Sequence, residues 1–206
     1  MKKLLCGLVC LVLASASAIF ATGSFSSDNA DIQKGIDLHN AGLTGDLANI
    51  EKSIELLKPY ITKDAIACAY YGSCMTLCAA KCVEDNPIKS LDYLTEGSKY
   101  LDESVKMDSK NPMIRLFRLE NGIQVSRTSP LKRYAEIGPD VDLLLSSNLS
   151  EYGTEIMAEA YLFCGYYKLD AGELDNALDL FDLAIETDAE CECGKLAQKM
   201  LDKYSE

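Results

Sequence analysis

The stretch from Ala158 to Ala189 carries the pattern that most limits what this chain can fold into. In its second half, apolar residues recur at steps of three and four, which places them on one face of an α-helix: Leu174, Ala177, Leu178, Phe181, Ala184 and Ile185. The first half, from Ala158 to Leu169, is apolar on nearly every side, which is typical of a helix covered on both sides. Asp170 and Gly172 favour a tight turn between the halves, so the stretch is predicted to be a helical hairpin.

Small and aromatic residues stand at fixed steps within this hairpin: Tyr161, Cys164, Gly165 and Lys168, then Gly172, then Ala177, Phe181 and Ala184. The pattern resembles the tetratricopeptide repeat. The resemblance implies that Gly165 and Ala177 face each other where the two helices cross, and that Ala184 lies where the next hairpin packs. Three positions depart from the family's usual tryptophan, tyrosine and proline: Tyr161, Lys168 and Ala189.

A second copy of the pattern lies between Gly97 and Pro112. Gly97, Leu101 and Ser104 fall at the same relative steps in this copy. The matching residues of the first copy are Ala177, Phe181 and Ala184. The polar run from Asp108 to Pro112 then ends the helix. Two copies indicate a repeat, and the resemblance implies that the hairpins stack into a solenoid.

The remaining chain is predicted to form further hairpins and an end helix: Ile32–Asn40 with Leu47–Ile61, Asp64–Val83 with Ile88–Met107, a third hairpin opening at Pro112, and Gly194–Tyr204. Ser129-Pro130 and Gly138-Pro139 are expected to cut the third hairpin into short helices. No segment alternates with period two. The predicted fold class is therefore all-α, with stacked antiparallel hairpins that form a short right-handed α-solenoid similar to tetratricopeptide proteins.

The amino terminus has the features of a secretory signal peptide over residues 1–21, with two lysines, a short leucine-rich core and alternating small residues. Residues 22–31 are expected to be a flexible leader, and residues 32–206 the helical-repeat domain. The signal predicts export to the periplasm or envelope of a bacterium, with no transmembrane span in the mature chain. Cys10 leaves open processing as a lipoprotein.

The negative charge of the chain disfavours some classes of partner, and the absence of known catalytic motifs disfavours most classes of enzyme. The net charge is −12, which disfavours nucleic acid and anionic membrane surfaces as partners. The sole histidine, His39, is expected at the surface near a turn, and no phosphate-binding loop, nucleophile elbow or paired-histidine metal motif occurs. The sequence therefore predicts a protein that is not an enzyme and has no cofactor.

Four residues of the predicted first helices are candidates for a partner-binding groove: Tyr71, Arg115, Arg118 and Tyr166. The resemblance implies that first helices line the concave groove of the stack. Two arginines three residues apart could bind a carboxylate or phosphate of a partner. The alternatives are that the arginines pair with acidic residues of a neighbouring helix and that the tyrosines belong to the core.

Cys74, Cys78 and Cys82 stand at four-residue steps on one predicted helix. They are interpreted as small apolar residues at close helix contacts, with disulfides or a soft metal ion as alternatives. Removal of Cys6 and Cys10 with the signal peptide leaves an odd number, so one thiol stays unpaired or pairs between molecules.

The favoured hypothesis is a non-enzymatic scaffold of the bacterial cell envelope that binds a protein segment in its groove. The alternative is a periplasmic protein that binds a small ligand or a soft metal.

Overall fold

A computed structural model describes residues 27–43 and 45–204. Every regular element in these ranges is helical, and none is a strand, which confirms the all-α class. The predicted signal peptide lies outside the described residues, as does the first half of the predicted leader. None of the described helices combines the length and the apolar character needed to cross a bilayer.

The described residues form α-helices and one 3₁₀ turn, Ser150–Tyr152. In chain order the α-helices are α1 (Ala30–Gly42), α2 (Leu47–Leu57), α3 (Ala65–Cys82), α4 (Pro87–Met107), α5 (Pro112–Thr128), α6 (Tyr134–Ser146), α7 (Thr154–Asp170), α8 (Leu174–Asp188) and α9 (Glu192–Tyr204).

Polar side chains immediately before each of the first five helices determine where those helices begin. Each accepts a hydrogen bond from a backbone N–H of the first turn, which that turn cannot satisfy itself: Asn29, Asp46, Asp64, Asn86 and Asn111. Pro87 and Pro112 then occupy the first helical position, where a missing N–H costs nothing.

Helices adjacent in the chain pack as pairs: α1 with α2, α3 with α4, α5 with α6, and α7 with α8. Each first helix of a pair also contacts the first helix of the next pair, and α9 packs against both α7 and α8. First helices therefore have neighbours on several sides, which explains why α3 and α7 are apolar nearly all round. The second helix α8 buries one stripe only, formed by Ala177, Leu180, Phe181 and Ala184.

Two apolar clusters form the core and meet on α5. One joins α1 to α5 and includes Ile114 and Phe117 of α5. The other joins α5 to α9 and includes Leu116, Leu119 and Ile123. The two clusters thus use different faces of the same helix.

In each hairpin of the described residues, the two helices contact each other closely at a glycine of the first helix. A Cβ atom added there would come within 2.7 Å of the second helix or of its side chains: Gly35 against Leu57, Gly72 against Gly97, Gly122 against Ile137, and Gly165 against Phe181. Only a residue without a side chain allows so close an approach. At Gly165 the nearest atoms belong to Phe181, one turn beyond the expected neighbour Ala177.

The expected break at Gly138-Pro139 is wrong, because α6 continues through Pro139 to Ser146. Proline removes one N–H donor from the helix ladder, which usually ends or kinks a helix. Here Ile137, Val141 and Leu144 of α6 are all buried in the core. We attribute the continuity of α6 to this packing, which offsets the lost hydrogen bond.

Replacing Ala177 with leucine is expected to lower the free energy of unfolding by about 1 to 3 kcal/mol. Ala177 is fully buried in α8, so a larger side chain must displace its neighbours. Chemical denaturation measures the change. Asp179→Leu at an exposed position of the same helix serves as the control and should shift stability by less than about 0.5 kcal/mol. Equal effects of both substitutions would contradict the packing at Ala177.

Candidate functional site

Arg115 and Arg118 of α5 share one carboxylate, that of Asp140 on α6. Arg115 Nη1 donates to Asp140 Oδ1 at 2.8 Å, and Arg118 donates through Nε and Nη2 to both oxygens at 2.8 Å. Arg118 also reaches Asp102 of α4 at 3.1 Å, and Arg133 reaches the same oxygen at 2.6 Å. This arginine–aspartate network connects three consecutive helices.

The electrostatics of the network favour a structural role for Arg118. Asp140 is fully buried and Arg118 is only 8% exposed. Burial opposes the guanidinium charge, but hydrogen bonds and ion pairs with Asp140 and Asp102 outweigh it and raise the pKa of Arg118. Because Nε, Nη1 and Nη2 already bind carboxylates inside the protein, few donors are left for a partner.

The two tyrosines predicted for the groove contact other side chains. The Tyr71 ring packs edge-on against Tyr100 of α4, with centroids 4.8 Å apart, and is 6% exposed. The Tyr166 ring lies under the guanidinium of Arg127 at 4.4 Å, and Arg127 also binds Asp170 through two hydrogen bonds of 2.8 Å. The described contacts therefore join Arg115 to Arg118, but join neither arginine to Tyr71 or Tyr166.

A different set of side chains lies along the first helices, and we call it the first-helix row: His39 of α1, Tyr70 of α3, Phe117 and Glu120 of α5, and Glu159 of α7. Its aromatic part is continuous, with ring centroids 4.9 Å apart between His39 and Tyr70 and 4.8 Å apart between Tyr70 and Phe117. Glu120 lies one turn after Phe117 on α5, and α5 contacts α7, which carries Glu159. Burial, and then the charges of Glu159 and Glu120, raises the pKa of Tyr70.

His39 is buried, which corrects its expected place at the surface. Its Nε2 hydrogen-bonds with Ser73 Oγ at 2.9 Å, and its Nδ1 with Asn40 Oδ1 at 3.0 Å. Serine, histidine and an orienting amide are the parts of a nucleophilic triad. However, Ser73 is 1% exposed and burial lowers the pKa of His39 to about 4, so the serine is out of reach and the base is weak. The hydrogen bond between His39 and Ser73 therefore connects α1 to α3.

Glu120 and Glu159 are the unusual members of the row. They are 1% and 4% exposed, on helices α5 and α7 that contact each other. Oε1 of Glu120 has no hydrogen-bond partner, and neither residue takes part in any salt bridge of the described residues. Burial, and then repulsion by Glu159, raises the pKa of Glu120 well above its ordinary value. Burial, and then Glu155, raises that of Glu159 to about 8.

Sequence reasoning passed over this pair, although the signal was present. Glu159 lies in the stretch from Ala158 to Leu169, which is otherwise almost free of charge. Glu120 follows the apolar Leu119 in a helix whose neighbours cover it on several sides. A carboxyl group in an apolar context, as at Glu159, is an anomaly that points to a site or to a buried partner.

The cysteines of α3 lie at helix contacts and near its end. Cys74 is fully buried and donates to Ser53 Oγ of α2 at 3.3 Å, while Cys78 and Cys82 are partly exposed. Burial raises the pKa of Cys74 to about 12 and that of Cys78 to about 11, so neutral thiols are favoured over the thiolates that bind metals. All cysteines of the described residues are free, and no cluster there has the geometry of a metal site.

Comparison of the chain with protein-family models, with curated proteins and with solved structures finds no match. The site is therefore interpreted from its own geometry. A cavity of about 110 Å³ between the end of α6 and α7 is smaller than most ligand sites. The first-helix row remains the place where chemically distinct side chains from successive hairpins come together.

The raised pKa of Glu159 predicts that the protein becomes less stable as pH rises. The unfolded side chain loses its proton near 4.5 and the folded one near 8, so between these values the folded state holds one proton more. The free energy of unfolding should fall in this window, by up to about 1.4 kcal/mol per pH unit for one proton. His39 has the opposite effect on stability below pH 6.5. Its pKa is lowered to about 4, so the free energy of unfolding rises with pH between these two values.

The effect of His39 on stability is confined to lower pH. Urea unfolding between about pH 6.5 and 8 therefore measures the effect of the carboxyl groups separately from that of the histidine. As pH rises over this range, the urea concentration at the midpoint of unfolding should fall in the natural protein. It should change less in Glu159→Gln, because the amide does not titrate. Glu155→Gln, at an exposed position of α7, is the matched control and should retain most of the slope. Parallel slopes for the natural protein and Glu159→Gln would refute the assignment.

Proposed function

We propose that this protein is a non-enzymatic interaction module of a bacterial cell envelope. Its helical hairpins stack as a tetratricopeptide-like solenoid, and the face formed by the first helices binds a segment of another protein. The observation that carries the proposal is the glycine crossing that recurs in all hairpins of the described chain, together with the contacts between successive first helices. The export signal in the sequence supports the location.

Recurrence of one crossing is what a repeat architecture requires. Gly35, Gly72, Gly122 and Gly165 each lie in the first helix of a hairpin, against a large side chain of the second helix or against that helix's backbone. Equivalent hairpins that contact only their neighbours stack into an elongated array. Such an array offers one continuous surface to which every first helix contributes.

The residues of the first-helix row are at most 7% exposed, so they hold the first helices together, and partly exposed residues beside them, such as Gln124, form the surface offered to a peptide. Aromatic rings of α1, α3 and α5 provide an apolar section, and the carboxyl groups of α5 and α7 provide a polar one. Burial lowers the pKa of His39 and raises the pKa of Cys74, Cys78 and Cys164, which favours the neutral forms of these side chains.

A photo-crosslinking experiment tests which face binds. Benzoylphenylalanine is placed at Gln124, a partly exposed position of α5 one turn from Glu120, or at Asp182 on the exposed side of α8. The full chain carrying each probe is expressed in its native envelope and irradiated. We expect a defined crosslinked partner from position 124 and none from position 182. The same products from both positions, or products from position 182 alone, would overturn the proposal.

A further inference from the structure

A small cavity opens to the solvent between the end of α6 and the first turns of α7. Its volume is about 110 Å³, and apolar side chains from both helices and from the connection between them line it: Leu144, Leu145, Leu149, Met157, Ala160 and Tyr161. Leu144, Leu149 and Ala160 are at most 7% exposed and form the floor, whereas Leu145 is 43% exposed and lies at the rim. A buried apolar floor below an accessible rim suits an apolar group that enters from outside.

The volume of the cavity fits one aliphatic side chain. A protein cavity of about 150 Å³ with apolar walls takes up a benzene molecule. A cavity of about 110 Å³ therefore accepts a group of the size of a leucine side chain, whereas the indole ring of tryptophan would have to displace the walls.

Asn148, which also lines the cavity, has a free hydrogen-bond donor. Its Oδ1 accepts from the backbone N–H of Ser150 at 3.1 Å and from Ser150 Oγ at 2.8 Å. Because a backbone N–H can only donate, this contact identifies the side-chain oxygen, and Nδ2 has no hydrogen-bond partner among the described residues. A donor beside an apolar cavity can bind the backbone carbonyl of a residue whose side chain lies in the cavity.

The surroundings of the cavity are acidic. Residues 134–167, which include every residue that lines it, contain six aspartates or glutamates and no lysine or arginine. Asp142, Glu151 and Glu155 are exposed and lie close in the chain to residues of the cavity wall. The two arginines of α5 that reach α6 bind the buried Asp140, so they leave these exposed acids unpaired. Charge complementarity therefore favours a basic partner.

We propose that this cavity binds a leucine side chain of the partner segment, and that lysine or arginine stands next to this leucine in the partner's sequence. The inference rests on the function proposed above and specifies the chemistry of the bound segment. The leucine fills the cavity, Nδ2 of Asn148 donates to the leucine's backbone carbonyl, and the basic neighbours face the exposed carboxylates. Burial of the leucine supplies most of the affinity, because exposed charges contribute little.

Nuclear magnetic resonance titration of the ¹⁵N-labelled protein measures both the affinity and the place of binding. The probes are ten-residue peptides of serine and glycine whose central residues are Lys-Leu-Lys, Lys-Ala-Lys, Lys-Trp-Lys or Ser-Leu-Ser. We expect the first peptide to shift the amide signals of Leu145, Leu149, Ala160 and Tyr161. It should bind about tenfold more tightly than the alanine peptide, and the tryptophan and uncharged peptides should also bind more weakly.

Three variants connect this binding to the cavity. Ala160→Leu places a leucine side chain in the cavity from its floor and should abolish the preference for the leucine peptide. Leu145→Ala at the exposed rim should weaken binding of that peptide about threefold, because part of the apolar contact is lost. Leu183→Ala is the matched control, since Leu183 is 40% exposed on α8, away from the cavity, and this substitution should leave the affinity unchanged.

The outcomes separate the cavity from the proposed function. Equal binding of the leucine and alanine peptides, or equal binding of the leucine and tryptophan peptides, would overturn the leucine site. So would equal losses of affinity in Leu145→Ala and Leu183→Ala. If no peptide shifts the signals of the cavity while the probe at position 124 still gives a crosslinked partner, the cavity is overturned and the interaction module stands. Binding of the leucine peptide in the cavity without a crosslinked partner from position 124 would support the cavity and overturn the first-helix face.

Discussion

Asp140→Asn is expected to lower the free energy of unfolding by about 3 to 5 kcal/mol, the usual loss when one partner of a buried ion pair is removed. The carboxylate of Asp140 is fully buried and accepts hydrogen bonds from both Arg115 and Arg118. Without its charge, the guanidinium of Arg118 remains buried against an amide whose nitrogen cannot accept. The variant should therefore lose the ion pairs that connect α5 to α6.

Urea denaturation followed by circular dichroism measures this loss, with Asp142→Asn as the matched control. Asp142 lies on the same helix, two residues away, and is exposed. The control should change stability by less than about 0.5 kcal/mol, because exposed charges contribute little. A loss below about 1 kcal/mol for Asp140→Asn would show that the arginines find other acceptors.

Gly72→Ala should destabilise the protein by about 3 kcal/mol, at the upper end of the usual cost of an overpacked core. A Cβ atom at Gly72 would lie 2.7 Å from the carbonyl oxygen of Gly97, and one at Gly97 would lie 2.6 Å from that of Gly72. Both obstacles are backbone atoms, so α3 and α4 must move apart as whole helices. Alanine is intrinsically the better helix former by about 1 kcal/mol, and this gain is outweighed.

Gly138→Ala is the control for that experiment. Gly138 also lies within a helix, but the atom closest to its added Cβ would be the hydroxyl of Tyr167 at 2.8 Å, the far end of a side chain. A small rotation of that side chain can relieve the contact, so the expected change is near zero or stabilising. If Gly72→Ala proves as well tolerated as Gly138→Ala, the helices do not cross at Gly72 as closely as described.

The sequence was sufficient to predict the helical class and the places of most helices, because both depend on local information. Apolar spacing and capping residues lie within a few positions of the elements that they specify, as at Asn111 and Pro112 before α5. Prediction was wrong at Gly138-Pro139, where the local rule for proline is offset by the packing of Ile137 and Val141. That packing involves residues from other helices.

The candidate site was less accessible to prediction for the same reason. Spacing places Arg115 and Arg118 on one face of a helix, but it does not say that Asp140, more than twenty residues later, lies opposite that face. The glycine crossings at Gly35 and Gly122 have no family-like pattern around them and were recognised only from the structure. Charge in an apolar context, as at Glu159, was the one signal of the site that the sequence offered.

The division of the core across α5 has a consequence for cooperativity. Because Ile114 and Phe117 belong to one apolar cluster while Leu116, Leu119 and Ile123 belong to the other, α5 is the only α-helix of the described chain that contributes fully buried apolar side chains to both. Either cluster can retain much of its own packing while the outer helices of the other open, as in a chain of foldons. The energetic coupling between the two ends, and with it the sharpness of the unfolding transition, therefore depends on this one helix remaining folded.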